Sequence, residues 1–393
     1  MKRIEQLILL LLIMLYSTSC FFKGGNKMVI DDGTNKTEIR YSGEIKFSDD
    51  ESTIVKISKF GYLEYQKNEV KLFAGNTKTG ELKFDIMNRN ERINPESEEG
   101  KKLIASVIQD LISIGFDAPG RIQRVAQKGG LQAVVKETDH IQSDFAKSNY
   151  LEFALKSDSI EKTLLTEIAQ KIEKQIGSDF EKGKLLKLFP EKLMQDSTIS
   201  TNYFKAVSTI GSDFEKANAL KSRINSSLTT KQTEAIIEVS NTIGSDFEKA
   251  NVLKLIIEHA VFQEINLKLM TQSIDQIGSD FEKCNLLKAA IDKSLMNEVN
   301  FMCLINSTSK IGSEFDRENL LKQFTEKELS SDQQWNELIA NTTQIGSEFE
   351  RSNVLIQIAG KMPKNEALKE TYMKAAKTIN SENELGRAVK AII

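Results

Sequence analysis

The sequence predicts a mainly α-helical protein: an α-solenoid of about seven 34-residue helical hairpins, preceded by a small antiparallel β-meander. Three observations carry this. The segment Ile-Gly-Ser-Asp-Phe-Glu-Lys returns, with drift, at Ile141, Ile176, Ile210, Ile243, Ile277, Ile311 and Ile345, at intervals of 35, 34, 33, 34, 34 and 34 residues. A fixed period of that size marks stacked supersecondary units, each burying an apolar face against the next. Residues 38–93 instead alternate apolar and polar side chains between turn signals, the mark of strands. Finally, 4 prolines in 393 residues suit a chain that is mostly helix.

From the N-terminus, residues 1–20 read as a targeting segment. Lys2 and Arg3 give a positive end, and Leu7–Leu15 is an unbroken apolar run too short to span a bilayer comfortably. Residues 21–37 are polar and glycine-rich and are expected to form a flexible tether. In the β-meander, residues 38–93, the runs at 54–57, 62–65, 70–73 and 82–86 follow Ile39, Tyr41, Ile45 and Phe47, giving five or six strands. A single sheet needs cover on one face, which following helices can supply. Residues 94–140 read as a helical junction. Asn94-Pro95 opens a helix whose apolar residues run from Leu103 to Ile112, and Gly129-Gly130 splits two shorter helices.

Residues 141–393 form the repeat array. Each Ile closes a helix, and the Gly after it (Gly177 to Gly346; Gln142 in the first copy) is expected to adopt a left-handed backbone. Ser is the next N-cap, with Glu or Asp three residues on to complete a capping box. The acid after Ser occupies the first turn, where the helix dipole favours it. Phe145, Phe180, Phe214, Phe247, Phe281, Phe315 and Phe349, each with a Leu six residues later, are expected to line the buried inner face. Each buried side chain would stabilise by about 1.5–3 kcal/mol. A cation at Lys147, Lys182, Lys216, Lys249, Lys283, Arg317 and Arg351 is expected to pair with acids of the next repeat and with helix-end carbonyls. Asn149, Asn218, Asn251, Asn285, Asn319 and Asn353 are expected to bond between neighbouring loops. Ile379-Asn380-Ser381-Glu382 opens an eighth, degraded copy that acts as a terminal cap, with Asn383 in place of Phe. Cys284 and Cys303 sit at packing positions and read as free thiols rather than a disulfide.

Two resemblances follow from these residues. Ser17-Thr18-Ser19-Cys20 resembles the lipobox of bacterial lipoproteins. That resemblance implies cleavage before Cys20, a lipid on Cys20, a place in the bacterial cell envelope and, from Phe21, the outer rather than the inner membrane. The alternative is an ordinary secretory signal with Cys20 incidental. The hairpin array resembles tetratricopeptide and HEAT-like α-solenoids in architecture, without the tetratricopeptide signature. The whole mature chain is similar to a group of bacterial envelope proteins in which a β-meander precedes "SDxEK"-type helical repeats; this implies no particular activity.

Charge and motif content narrow the function. Hydrophobic residues make up 40% and charged residues 28%, and the formal net charge is −3 with no basic block, so no nucleic-acid partner is expected. No HExxH, GxSxG, clustered His/Cys ligands or phosphate-cradling loop appears, so no metal, cofactor or catalytic set is assigned. His140 and His259 take positions held by other polar residues in other copies. Trp335 occupies a position held elsewhere by Thr166, Ser200, Thr233, Leu267 and Phe301. It is expected to be partly exposed, where with Phe301 it could anchor a partner; the alternative is local packing of Trp335 beside Phe301. The leading expectation is a non-enzymatic, envelope-anchored scaffold for a protein or peptide partner. A sensory module of the envelope and a carboxylate-based hydrolase are the alternatives.

Overall fold

A computed structural model describes residues 25–31, 36–225, 228–259 and 264–393. The protein is mainly helical, with an N-terminal antiparallel sheet. The described chain falls into two compact units, one ending at Arg121 and the other spanning Ile122–Ile393.

The first unit holds β1 (Asn26–Asp31), β2 (Lys36–Ser42), β3 (Ile45–Phe47), β4 (Ile54–Ile57), β5 (Tyr62–Lys67), β6 (Val70–Asn76), β7 (Leu82–Asn88) and β8 (Glu91–Ile93). Six of these form one sheet in the order β1-β2-β5-β6-β7-β8, while β3 and β4 pair as a separate ribbon. The expected tether is therefore shorter than 21–37: Asn26–Asp31 is a strand that pairs with β2, Met28 opposite Ile39. The short apolar run Met28-Val29-Ile30 supports it. Two-residue turns close β5–β6 and β7–β8. Asn68 (φ 52°), Arg89 (51°) and Asn90 (65°) take the positive φ that matches a hairpin's twist.

Alternation turns Leu63, Tyr65, Leu72, Ala74 and Ile86 inward, where α1 (Glu98–Ser113) covers them with Ile104, Val107, Ile108 and Leu111. The N-cap of α1 is Ser97, which accepts from Gly100 N; Asn94 instead bonds Glu96 N in the preceding turn. The Tyr65 hydroxyl and the Lys67 ammonium both donate to Asp110 of α1, at 2.6 and 2.8 Å. Helix α2 (Ala118–Glu137) breaks at Gly130, whose φ of 67° and ψ of −166° are non-helical, as the Gly129-Gly130 pair predicts.

In the second unit the copies supply paired helices, the last of them a first helix alone. The first of each pair are α3 (Asp144–Leu155), α5 (Asp179–Lys187), α7 (Asp213–Lys221), α9 (Asp246–His259), α11 (Asp280–Lys293), α13 (Glu314–Thr325), α15 (Glu348–Lys361) and α17 (Glu382–Ile392). The second are α4 (Lys162–Gln175), α6 (Ser197–Ser208), α8 (Thr230–Ser240), α10 (Glu264–Asp275), α12 (Glu298–Thr308), α14 (Asp332–Thr342) and α16 (Glu366–Ala376). Each first helix packs on the first helix of the next copy, and each second helix on the next second helix. The closing Ile, the Leu ten residues after it and the residue seven before it (Tyr203, Ile236, Met270, Leu304, Leu338, Tyr372) are buried throughout, in one continuous core.

Candidate partner-binding surface

The repeated heptapeptide builds a joint between neighbouring copies. Ser caps each first helix: Ser178, Ser212, Ser279, Ser313 and Ser347 each accept from the backbone N–H three residues on. The reciprocal half of the expected capping box does not form here. It is complete in the second layer instead, at Thr229/Gln232 and Ser331/Gln334.

The acid after Ser reaches forward. Asp179 accepts from Gly211 N (2.9 Å) and Ser212 N (2.7 Å), Asp246 from Gly278 N (3.1 Å) and Ser279 N (2.9 Å), and Glu314 from Gly346 N (2.8 Å) and Ser347 N (2.6 Å). Each carboxylate thus satisfies two helix-start N–H groups of the next copy. This corrects the reading of the glycines. Positive φ occurs among glycines at Gly43, Gly80, Gly115 and Gly130, and not at the motif positions. Glycine is favoured there by the approaching carboxylate. A Cβ on Gly346 would lie 2.2 Å from Glu314 Oε1, and one on Gly312 2.8 Å from Asp280 Oδ2.

The cation is structural, as expected, but through carbonyls more than through acids. Lys182 donates to the Thr209 carbonyl and hydroxyl, both at 3.0 Å, and Lys216 to those of Thr242 at 3.2 and 2.9 Å. Lys147 bonds the Gln175 carbonyl (2.9 Å), and Arg351 the carbonyls of Ile345 and Thr378. The carbonyls of Gln175, Thr209, Thr242 and Thr378 lie at the end of the second helix of the cation's own copy, so each cation ties the two helices of one hairpin together. Lys182, Lys216 and Lys249 are buried, and burial holds their ammonium groups below the ordinary lysine range.

The phenylalanines behave oppositely to expectation. All seven lie between 54% and 67% exposed, while the Leu six residues later is fully buried in every copy. Six residues turn an α-helix by about 240°, so the two side chains cannot share a face. That arithmetic was available in the sequence, and it was obscured because every invariant apolar position of a repeat looks equally like core. The residue that does share the Phe face, four positions on, is the recurring Asn. These Asn side chains are half-buried or, at Asn285, exposed, and not the buried ties expected. Asn353 bonds Glu318 of the preceding copy at 3.3 Å and receives Arg387 of the following one at 2.9 Å. The sequence motif therefore produces an exposed aromatic at the same point of seven successive copies.

Trp335 and Phe301 are not on this surface. Trp335 is 4% exposed and Phe301 is fully buried, its ring edge-on to Phe324 at 5.3 Å. Thr and Ser at this position do not imply exposure, because a helix hydroxyl can satisfy itself locally. Thr233 is buried and donates to the Thr229 carbonyl. A partner would reach Trp335 or Phe301 only by displacing core side chains. Cys284 is buried and Cys303 half-buried, and they form no disulfide with each other. Cys20 and the rest of the targeting segment lie outside the described residues. Among the described residues no group of three or more His, Cys, Asp or Glu side chains is placed to hold a metal ion, and no single helix is long and apolar enough to cross a membrane. The chain matches no protein-family model and no curated protein sequence.

Proposed function

We propose that this protein is a non-enzymatic scaffold of the cell envelope, tethered through a lipid on Cys20. In this reading its helical copies form an α-solenoid of about seven hairpins that offers the phenylalanine row to a protein partner. The observation that carries the reading is the exposure of one Phe per copy at seven successive copies. Isolated exposed apolar residues are ordinary, whereas one repeated at the same point of successive copies costs solubility and points to an interaction surface. The row is not needed for packing, since Ile, Leu and the second-helix residues supply the core. The stacking of like helices on like supports the solenoid, whose extended faces suit elongated partners.

A photo-reactive amino acid in place of Phe281, compared with one at exposed Lys369 on α16, tests the row in the intact membrane-attached protein. A discrete protein adduct at position 281 and none at 369 is the expected outcome. Equal labelling at both positions, or adducts to lipid alone, would overturn the proposal. The tether has its own test. Cys20→Ala should leave the precursor uncleaved or release the protein from the membrane fraction, because attachment depends on the added acyl chains. Membrane retention of a correctly cleaved Cys20→Ala protein would refute it.

A further inference from the structure

The last copy contains a built-in example of what an open phenylalanine of the row accepts. Arg387, on α17, lies over the ring of Phe349 with its guanidinium carbon 5.4 Å from the ring centroid. One guanidinium nitrogen donates to Asn353 Oδ1 at 2.9 Å, the other to Glu384 Oε2 at 2.5 Å. The receiving set is thus the Phe and Asn of one copy and the acid two residues after the N1 residue of the next.

The same set recurs as Phe247/Asn251/Glu282, Phe281/Asn285/Asp316 and Phe315/Asn319/Glu350. At these steps the residue equivalent to Arg387 is Asn285, Asn319 or Asn353, whose short side chain leaves the ring open. At the earlier steps a lysine of this chain already occupies the acid: Lys184 lies 3.5 Å from Glu181, Lys187 3.7 Å from Glu215 and Lys221 3.3 Å from Glu248. At the later steps the equivalent lysines are Lys254, Lys288 and Lys322. Among the described residues none of these forms an ion pair within 4.0 Å with Glu282, Asp316 or Glu350, and Lys322 pairs with Glu318 at 2.6 Å instead. Three successive steps therefore hold the ring, the amide oxygen and the carboxylate that seat a guanidinium, without one.

We infer that the steps at Phe247, Phe281 and Phe315 bind an extended cationic segment of a partner protein that carries an arginine at every third residue. Charge complementarity favours it over an anionic membrane surface, because each ring is paired with the carboxylate of Glu282, Asp316 or Glu350. Spacing sets the period. Stacked helices lie about 8–10 Å apart, and a polyproline-type chain advances about 9 Å per three-residue turn with every third side chain on one edge. The inference rests on the reading of the phenylalanine row as the docking face.

The probe is a fluorescent (Arg-Pro-Pro)3 peptide, titrated by anisotropy against the full chain in detergent. A peptide of the same composition with its three arginines contiguous, and (Glu-Pro-Pro)3, serve as comparisons. The spaced peptide should bind best. Combined Phe247→Ser, Phe281→Ser and Phe315→Ser should weaken it roughly ten- to hundredfold, the sum of three exposed cation–π contacts. Asn285→Arg with Asn319→Arg should abolish most binding, since each new side chain covers a ring, Phe247 or Phe281, as Arg387 covers Phe349, and each also removes the amide of the step that follows. Equal binding of the contiguous peptide, or indifference to the Asn substitutions, would overturn the inference. If the peptide fails while the photo-reactive residue at 281 still captures a discrete protein, the docking face stands and the arginine chemistry falls. Phe-dependent binding of phosphatidylglycerol vesicles instead would sink both.

Discussion

Asp246 and Phe247 are neighbours in one motif, and truncating each to Ala separates a joint from a surface group. Asp246 accepts from Gly278 N at 3.1 Å and Ser279 N at 2.9 Å, both in the next copy. A hydrogen bond to a charged group contributes about 1.5–3 kcal/mol, and the half-exposed setting argues for the lower end, so losing two costs about 3 kcal/mol. Phe247 is 60% exposed. Full burial of a Phe is worth about 1.5–3 kcal/mol, so its covered fraction amounts to about 1 kcal/mol. Asp246→Ala should therefore destabilise about threefold more than Phe247→Ala, reversing the order expected if the Phe were core. Urea unfolding gives the two free energies. Hydrogen exchange locates the damage: the Gly278 and Ser279 amides should lose protection in Asp246→Ala, because where each copy packs mainly on its neighbours stability is nearly a sum of local terms. A larger cost for Phe247→Ala, or an Asp246→Ala cost below about 0.5 kcal/mol, would refute the account of the joint.

Three further outcomes follow from burial. The depressed Lys216 pKa means that the folded state releases this proton at lower pH than the unfolded chain does. Stability therefore gains as pH rises from the folded pKa towards the ordinary lysine value of about 10.4. The difference in unfolding free energy, wild type minus Lys216→Met, should accordingly grow over that window, and a pH-independent difference would contradict it. Trp335 Nε1 is buried without a hydrogen-bond partner among the described residues. Trp335→Phe should cost under about 1 kcal/mol because it removes an unsatisfied donor, whereas Trp335→Ala should cost about 3–5 kcal/mol. Trp fluorescence should be blue-shifted and resistant to acrylamide, and ready quenching would show an exposed indole. Burial pushes the Cys284 thiol up to about 11. Iodoacetamide at neutral pH should label Cys303 first and reach Cys284 only on unfolding, as mass spectrometry would read.

The sequence alone determined the helical repeat, the antiparallel sheet before it, the Ser caps and the buried Ile and Leu. Each of these follows from a periodicity or a local hydrogen-bonding preference that needs no distant partner. The break at Gly130 was legible for the same reason. Strand β1 was missed because three apolar residues, Met28–Ile30, declare themselves only once β2 is there to pair with them. The roles of the motif residues depended on partners about 30 residues away in the chain. The acids meet the Gly and Ser amides some 32 residues downstream, and the cations meet a carbonyl at the end of their own hairpin's second helix. A period shows that a residue recurs, while the phase of the helix and the stacking of copies decide whether it faces the core, the joint or the solvent. Tertiary structure therefore moved Phe247 and its equivalents from core to surface, and Trp335 from surface to core.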